Sequence, residues 1–172
     1  VDLPPFLLND WLERHCDVRF NLAGSCGPAW SVAELLDLGE DRPDLGAIAI
    51  DYCPVDGLAA LRAEIAGLYG IDPASVIVTH GASEGLLLLA LALARPGGNV
   101  LLPAPAYSAF AGVCQVAGLA ARAYPQPQQA LAAADLAALM AVTDAETVLM
   151  IANTPHSPTG ATLSTDDRHA LA

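Results

Sequence analysis

Two short runs hold residue types that could do chemistry. The first is Gly81-Ala82-Ser83-Glu84-Gly85, which follows the apolar run at residues 76–79 and opens a Leu-rich stretch. At the start of a helix, free backbone N–H groups make an anion site, and residues this small let a phosphate come close. The same five residues also spell G-x-S-x-G, the strand–turn–helix elbow that presents a serine as nucleophile. A plain tight turn is the third reading, and the five residues alone leave all three open.

The second run is Asn153-Thr154-Pro155-His156-Ser157-Pro158-Thr159-Gly160, directly after the apolar segment 147–152. Two prolines and a closing glycine stiffen a loop at the carboxyl end of an expected strand. In open α/β sheets, ligands bind at such ends. The plainer alternative is a rigid loop that serves no ligand.

These runs need elements to hold them. Leu8, Trp11, Leu12 and His15 fall at helical spacing, and a short helix fits residues 31–38. Asp56 is expected to cap a helix whose Leu58, Leu61, Ile65 and Leu68 share a face and which ends at Gly70. Strands are expected at residues 76–79, 100–102, 119–124 and 147–152, with helices at 84–95, 107–117 and 128–142. Residues 126–134 read as a loop entering the last of these helices. Strands alternating with helices imply an α/β fold, a three-layer α/β/α sandwich with a mostly parallel sheet.

Composition narrows the classes. The net charge is -12 and the pI about 4.3, which argues against nucleic acid and anionic membranes as partners. The basic residues are seven arginines, and there is no lysine. Cys16, Cys26, Cys53 and Cys114 follow no metal-ligand spacing and read as small buried or half-buried thiols. No metal site is expected. The longest apolar stretch, residues 86–94, is too short to span a bilayer, and no leader pattern precedes it, so a reducing cytoplasm is the expected compartment. The chain opens on Val1, and Ser164 with Asp167 forms a capping box for a helix close to the final residue, Ala172. That combination reads as part of a longer protein.

Residues 154–160 resemble the N-P-H-N-P-T-G signature of fold type I, class I/II aminotransferases. Other landmarks appear in the family's order. The segment from Tyr52 and Pro54 through Gly57 to Leu61-Arg62 resembles Y-x-P-x-x-G-x-x-x-L-R; Gly81-Ala82-Ser83 resembles the phosphate loop; Pro105-Ala106-Tyr107 resembles the P-x-aromatic that lies on the cofactor. The resemblance covers Tyr52 onward, with Pro5 to Gly27 much less defined. It divides the chain into residues 1–50, an arm and part of a small domain, and residues 51–172, the first part of a cofactor-binding large domain.

The resemblance implies pyridoxal 5'-phosphate (PLP) as cofactor, an amino acid and a 2-oxo acid as substrates, and a homodimer. Gly81, Ala82 and Ser83 would hold the phosphate, Tyr107 would lie on the pyridine ring, and Tyr52 would reach the neighbouring subunit's cofactor. Ser157 takes the place of the asparagine that usually contacts the phenolic oxygen. Serine is the shorter side chain, so that contact needs a closer approach or a bridging water. Asn153, four residues upstream, is a second candidate, and His156 is expected to support the loop. The Schiff-base lysine of the family follows the signature loop, so no catalytic residue is assigned within these 172 residues, and this stretch alone is expected to be inactive. The segment from Pro4 to Leu12 resembles capreomycidine-synthase-like members, which cyclise a hydroxyarginine; eliminations and oxidations also occur on the scaffold. Two other classes stay open: a serine hydrolase using Ser83, Asp144 and His156 or His169, and a non-catalytic relic of the PLP fold.

Overall fold

The computed structural model describes residues 7–23, 27–40, 42–126 and 136–171. The chain divides into two compact units, Asp10–Val78 and one built on Thr79–Ala172. The expected loop at residues 126–134 lies almost wholly outside the described residues, as do Pro4, Pro5 and Cys26.

The unit Asp10–Val78 is helical and rich in loops. Helix α1 (Leu7–Arg14) leads into it, followed by α2 (Val32–Leu36) and α3 (Ala59–Tyr69). Ser31 and Glu34 cap α2 reciprocally: Glu34 N–H donates to Ser31 Oγ at 3.1 Å and Ser31 N–H to Glu34 Oε2 at 2.7 Å. Helix α3 ends on Gly70 in the left-handed region, as expected. Its start departs from expectation. Leu58 takes the cap position without a side-chain bond, while the Asp56 carboxylate pairs with Arg62. Arg62 also donates to the carbonyls of Val76 and Pro73, each at 2.8 Å, so the guanidinium competes successfully for Asp56.

The expected strand at 76–79 is not a strand. Val76 is buried, but Ile77 is 67% exposed, and the segment pairs with a turn: Val78 N–H donates to Asp56 O at 3.1 Å. An apolar run needs a second strand to make a ladder, and none is present here among the described residues. Gly57, with φ 98°, sits so close that a Cβ there would collide with the Val78 side chain.

The second unit carries the sheet. Strand β1 (Asn99–Ala104) lies between β2 (Ala120–Pro125) and β3 (Thr147–Met150), all parallel. Asn99 pairs with Ala120 on one side and with Thr147 on the other. Alternation along β1 splits the core in two. Val100 and Leu102 pack with Ala90 of α4 (Ala82–Leu93), Phe110 and Cys114 of α5 (Ser108–Val116), Leu119 and Ile151. Leu101 packs on the opposite face with Tyr124 and with Leu139 of α6 (Leu136–Val142), flanked by Leu171 of α7 (Thr165–Leu171). Helices therefore cover both faces, and the three-layer, mostly parallel fold is present. Burying a side chain such as Leu101 stabilises the fold by about 1.5–3 kcal/mol.

The expected helix at 128–142 is described only from Leu136. The Ser164–Asp167 capping box opens α7, with Asp167 N–H donating to Ser164 Oγ at 3.0 Å. Of the described cysteines only Cys114 is buried; Cys16 and Cys53 are exposed, contrary to expectation, because the loop-rich unit has little core to cover them. Among the described residues no helix is long and apolar enough to cross a membrane, and no group of side chains could hold a metal ion.

Candidate functional site

Connectivity decides where the sequence motifs lie. From β1 the chain passes through α5 to β2 on one side. It then returns through α6 to β3 on the other side of β1. Such a reversal leaves a crevice outside the carboxyl ends of β1 and β3, the place where ligands bind in open α/β sheets. The residues after β1 lead to Pro105 and Tyr107, and those after β3 are 153–160. Helix α4 joins β1 through a short turn at its far end. A twelve-residue helix is about 18 Å long, close to the span of a six-residue strand. Its N-terminus, with Gly81, Ala82 and Ser83, therefore comes back to the same carboxyl edge.

Gly81 precedes α4 at φ 82° and ψ 168°, a conformation almost confined to glycine. A Cβ there would meet nothing within 4 Å, so backbone strain, not space, selects the glycine. No side chain caps the helix, which leaves its first amides without intrahelical partners. Ala82 and Ser83 are exposed. Glu84 folds back over the entry loop and accepts the His80 N–H at 2.5 Å, with the His80 ring at 3.1 Å; these hydrogen bonds hold its carboxyl below the ordinary range. Tyr107 ends the turn before α5 and packs edge to face with Phe110, centroids 5.7 Å apart, so its ring plane is set while 38% of the residue stays exposed.

The loop 153–160 braces itself. Asn153 Oδ1 accepts the Ser157 N–H at 2.8 Å. His156 is buried at 3% exposure, its N–H donating to Ala161 O and its carbonyl accepting from Gly160 N–H, each at 2.7 Å. Its Nδ1 lies 2.8 Å from Thr159 Oγ1, while Nε2 has no partner among the described residues. Thr154 Oγ1 accepts the Leu163 N–H at 3.1 Å. Ser157 is left exposed.

Tyr52 belongs to the other compact unit and is fully exposed. The triad of Ser83, Asp144 and His156 is not assembled. Asp144 stands before β3, at the amino edge, bonded to Asn99 and Arg122, whereas His156 Nδ1 is engaged by Thr159. His169 is exposed on α7. One residue escaped sequence reasoning: Tyr124, 5% exposed, donates its hydroxyl to Ile151 O at 2.8 Å and ties β2 to the exit of β3. Burial pushes its phenol up, which keeps it a donor. The only signal was a lone tyrosine closing an Ala-rich strand.

Known proteins share this arrangement. The family model for aminotransferase class I and II matches residues 46–172. Capreomycidine synthase of Streptomyces vinaceus is 35% identical over 98% of this chain and 45% of its own length. A probable N-succinyldiaminopimelate aminotransferase of Mycobacterium tuberculosis is 36% identical over 70% of this chain and 32% of its own. Among solved structures, the PLP-dependent cyclase OrfR superposes with a TM-score of 0.85 at 30% identity, covering 99% of this chain and 46% of that one. The N-succinyldiaminopimelate aminotransferase from Mycobacterium tuberculosis gives 0.64 at 36% identity, covering 71% and 34%. The chain thus spans less than half the length of these relatives. With its switch-point sheet, its uncapped helix and its match over residues 46–172, the chain belongs to the class I and II aminotransferase family.

Proposed function

We propose that the protein is a PLP-dependent enzyme acting on an amino acid, with transfer of the amino group to a 2-oxo acid as its leading chemistry. The observation that carries this reading is the uncapped N-terminus of α4 at the sheet's carboxyl edge. PLP presents a phosphate, an aromatic ring and a phenolic oxygen, and the residues at this edge fit all three. The amides of Ala82 and Ser83 and the Ser83 hydroxyl hold the phosphate, with Gly81 supplying the backbone turn. Tyr107, its plane set by Phe110, lies on the ring. Ser157 and Asn153 serve the phenolic oxygen. Bound there, the cofactor supplies an electron sink for the bond broken at the substrate's Cα. In this reading the chain's own residues bind and orient it.

The amine that would attach the cofactor covalently is not among these 172 residues, so the active species in this reading is the full-length gene product. By the same reading the protein is a homodimer in which Tyr52 reaches the partner's cofactor, a role that suits a tyrosine wholly open to solvent. Three free thiols among the described residues support a reducing, cytoplasmic setting.

A second reading, cyclisation of an amino acid on the same cofactor, is favoured by one observation. The cyclase relatives match 98–99% of the chain, including the first 45 residues that lie outside the family model, whereas the aminotransferase relatives match about 70%. One experiment separates the readings. The full-length protein is loaded with PLP and given candidate amino acids with and without a 2-oxo acid. Aminotransfer consumes the acceptor and yields a new 2-oxo acid. Cyclisation of a hydroxylated substrate releases water and needs no acceptor. A protein that acquires no visible cofactor band sinks both.

A further inference from the structure

One donor in the loop 153–160 is fixed in direction and unused. Asn153 Oδ1 accepts the Ser157 N–H at 2.8 Å, which settles how the carboxamide is turned: oxygen into the loop, Nδ2 away from it. Asn153 is only partly exposed, and among the described residues its Nδ2 has no hydrogen-bond partner. The backbone around it is stiff on its own account, through His156 with Ala161 and Gly160 and through Thr154 with Leu163. A carboxamide N–H held in this way donates, does not titrate and cannot turn round to accept without giving up Ser157.

Such a donor matches an anionic oxygen at the carboxyl edge. The inference rests on the PLP reading above. In that reading the phosphate is served by α4, and a protonated pyridine nitrogen is itself a donor, which an N–H would oppose. The phenolic oxygen remains. Of the loop's other groups without a partner among the described residues, His156 Nε2 is buried, and the Ser157 hydroxyl is exposed, turns freely and both donates and accepts, so it does not distinguish the charged from the neutral form of that oxygen. We infer that Asn153, through Nδ2, is the residue that donates to the cofactor's phenolic oxygen, and that Ser157 contributes its backbone N–H as the lock on Asn153.

The test uses the full-length gene product loaded with PLP. Its readouts are the pH midpoint of the cofactor's visible band and the dissociation constant of PLP at equilibrium. N153A removes the donor and the lock's acceptor without adding charge. N153D keeps the acceptor for Ser157 N–H and removes the donor. S157A removes only the hydroxyl. The expected result is that N153A and N153D both raise the midpoint by about one pH unit, because a hydrogen bond to a charged group is lost, while S157A shifts it far less. The inference is overturned if S157A moves the midpoint and N153D does not, which makes Ser157 the donor. It is also overturned if only N153A moves it, which leaves Asn153 a loop brace, or if no variant does. Absence of any visible band in the unsubstituted protein defeats the PLP reading itself, a different outcome from these three.

Discussion

At the amino edge of the sheet the polar groups are spent on one another; at the carboxyl edge several are left open. Asn99, 1% exposed, donates to Asp144 Oδ1 at 2.9 Å and accepts from the Thr147 hydroxyl at 2.9 Å, while Asp144 also pairs with Arg122. This cluster ties the starts of β1 and β3 to each other and to Arg122 of β2. Some twenty ångströms along the strands, the first amides of α4, the Ser157 hydroxyl and Asn153 Nδ2 have no hydrogen-bond partner among the described residues. The same strands thus begin in a closed network and end in one of opposite kind, so in the proposed reading stability and binding are carried by different ends. Substitutions should separate them accordingly.

The largest effect is expected from N99A. It strips partners from Asp144 and Thr147 and leaves a void at a buried position, and chemical denaturation should register a loss of about 2–4 kcal/mol. Phosphate or PLP affinity per folded molecule should stay unchanged; a parallel loss would mean the two edges are not independent. G81A acts at the other end. Forcing a Cβ into the φ 82° turn should strain it by about 1–3 kcal/mol. Here isothermal titration should show PLP affinity weakened about tenfold or more, by the same conversion of energy to affinity. Normal binding in G81A would remove the α4 N-terminus from the site.

Y124F probes the brace across the carboxyl edge. Loss of the hydroxyl to Ile151 O should lower stability by about 1 kcal/mol. Hydrogen exchange should quicken in residues 153–160 more than in β1. Uniform quickening would make Tyr124 an ordinary core residue. D144N is the mildest and shows itself only in acid. Asn99 first, and then Arg122, hold the Asp144 carboxyl down to about 2 from an ordinary 3.8. A depressed folded-state value stabilises above the unfolded value and is lost as pH falls toward the folded one. The unsubstituted protein should therefore lose stability between about pH 4 and pH 2, and D144N should flatten that part of the acid-unfolding curve.

How much of this was legible follows from range. The runs around β1 and β3 gave their strands because central parallel strands are apolar throughout. Gly81 and the loop 153–160 were visible because turn chemistry is local. Residues 76–79 misled because an apolar run does not say whether a partner strand exists, and Asp56 misled because Arg62, six residues on, outbid the helix for its carboxylate. The amino-edge cluster was out of reach: Asn99 and Asp144 stand 45 residues apart, and nothing in either neighbourhood names the other. The role of Asn153 needed a single bond, Oδ1 to Ser157 N–H, that spacing permits but does not require.

The strand order has a consequence in time. As the chain emerges, α4, β1, α5 and β2 complete themselves from residues 82–125, but the other flank of β1 waits for Thr147. In that interval a strand destined for complete burial shows a bare row of backbone donors and acceptors to whatever is near, the condition under which nascent chains pair with the wrong neighbour. The arrival of β3 ends that hazard and, with Ile151 N–H closing on Leu101 O, delivers the loop 153–160 to its place. The act that protects the newborn sheet is also the act that completes its carboxyl edge.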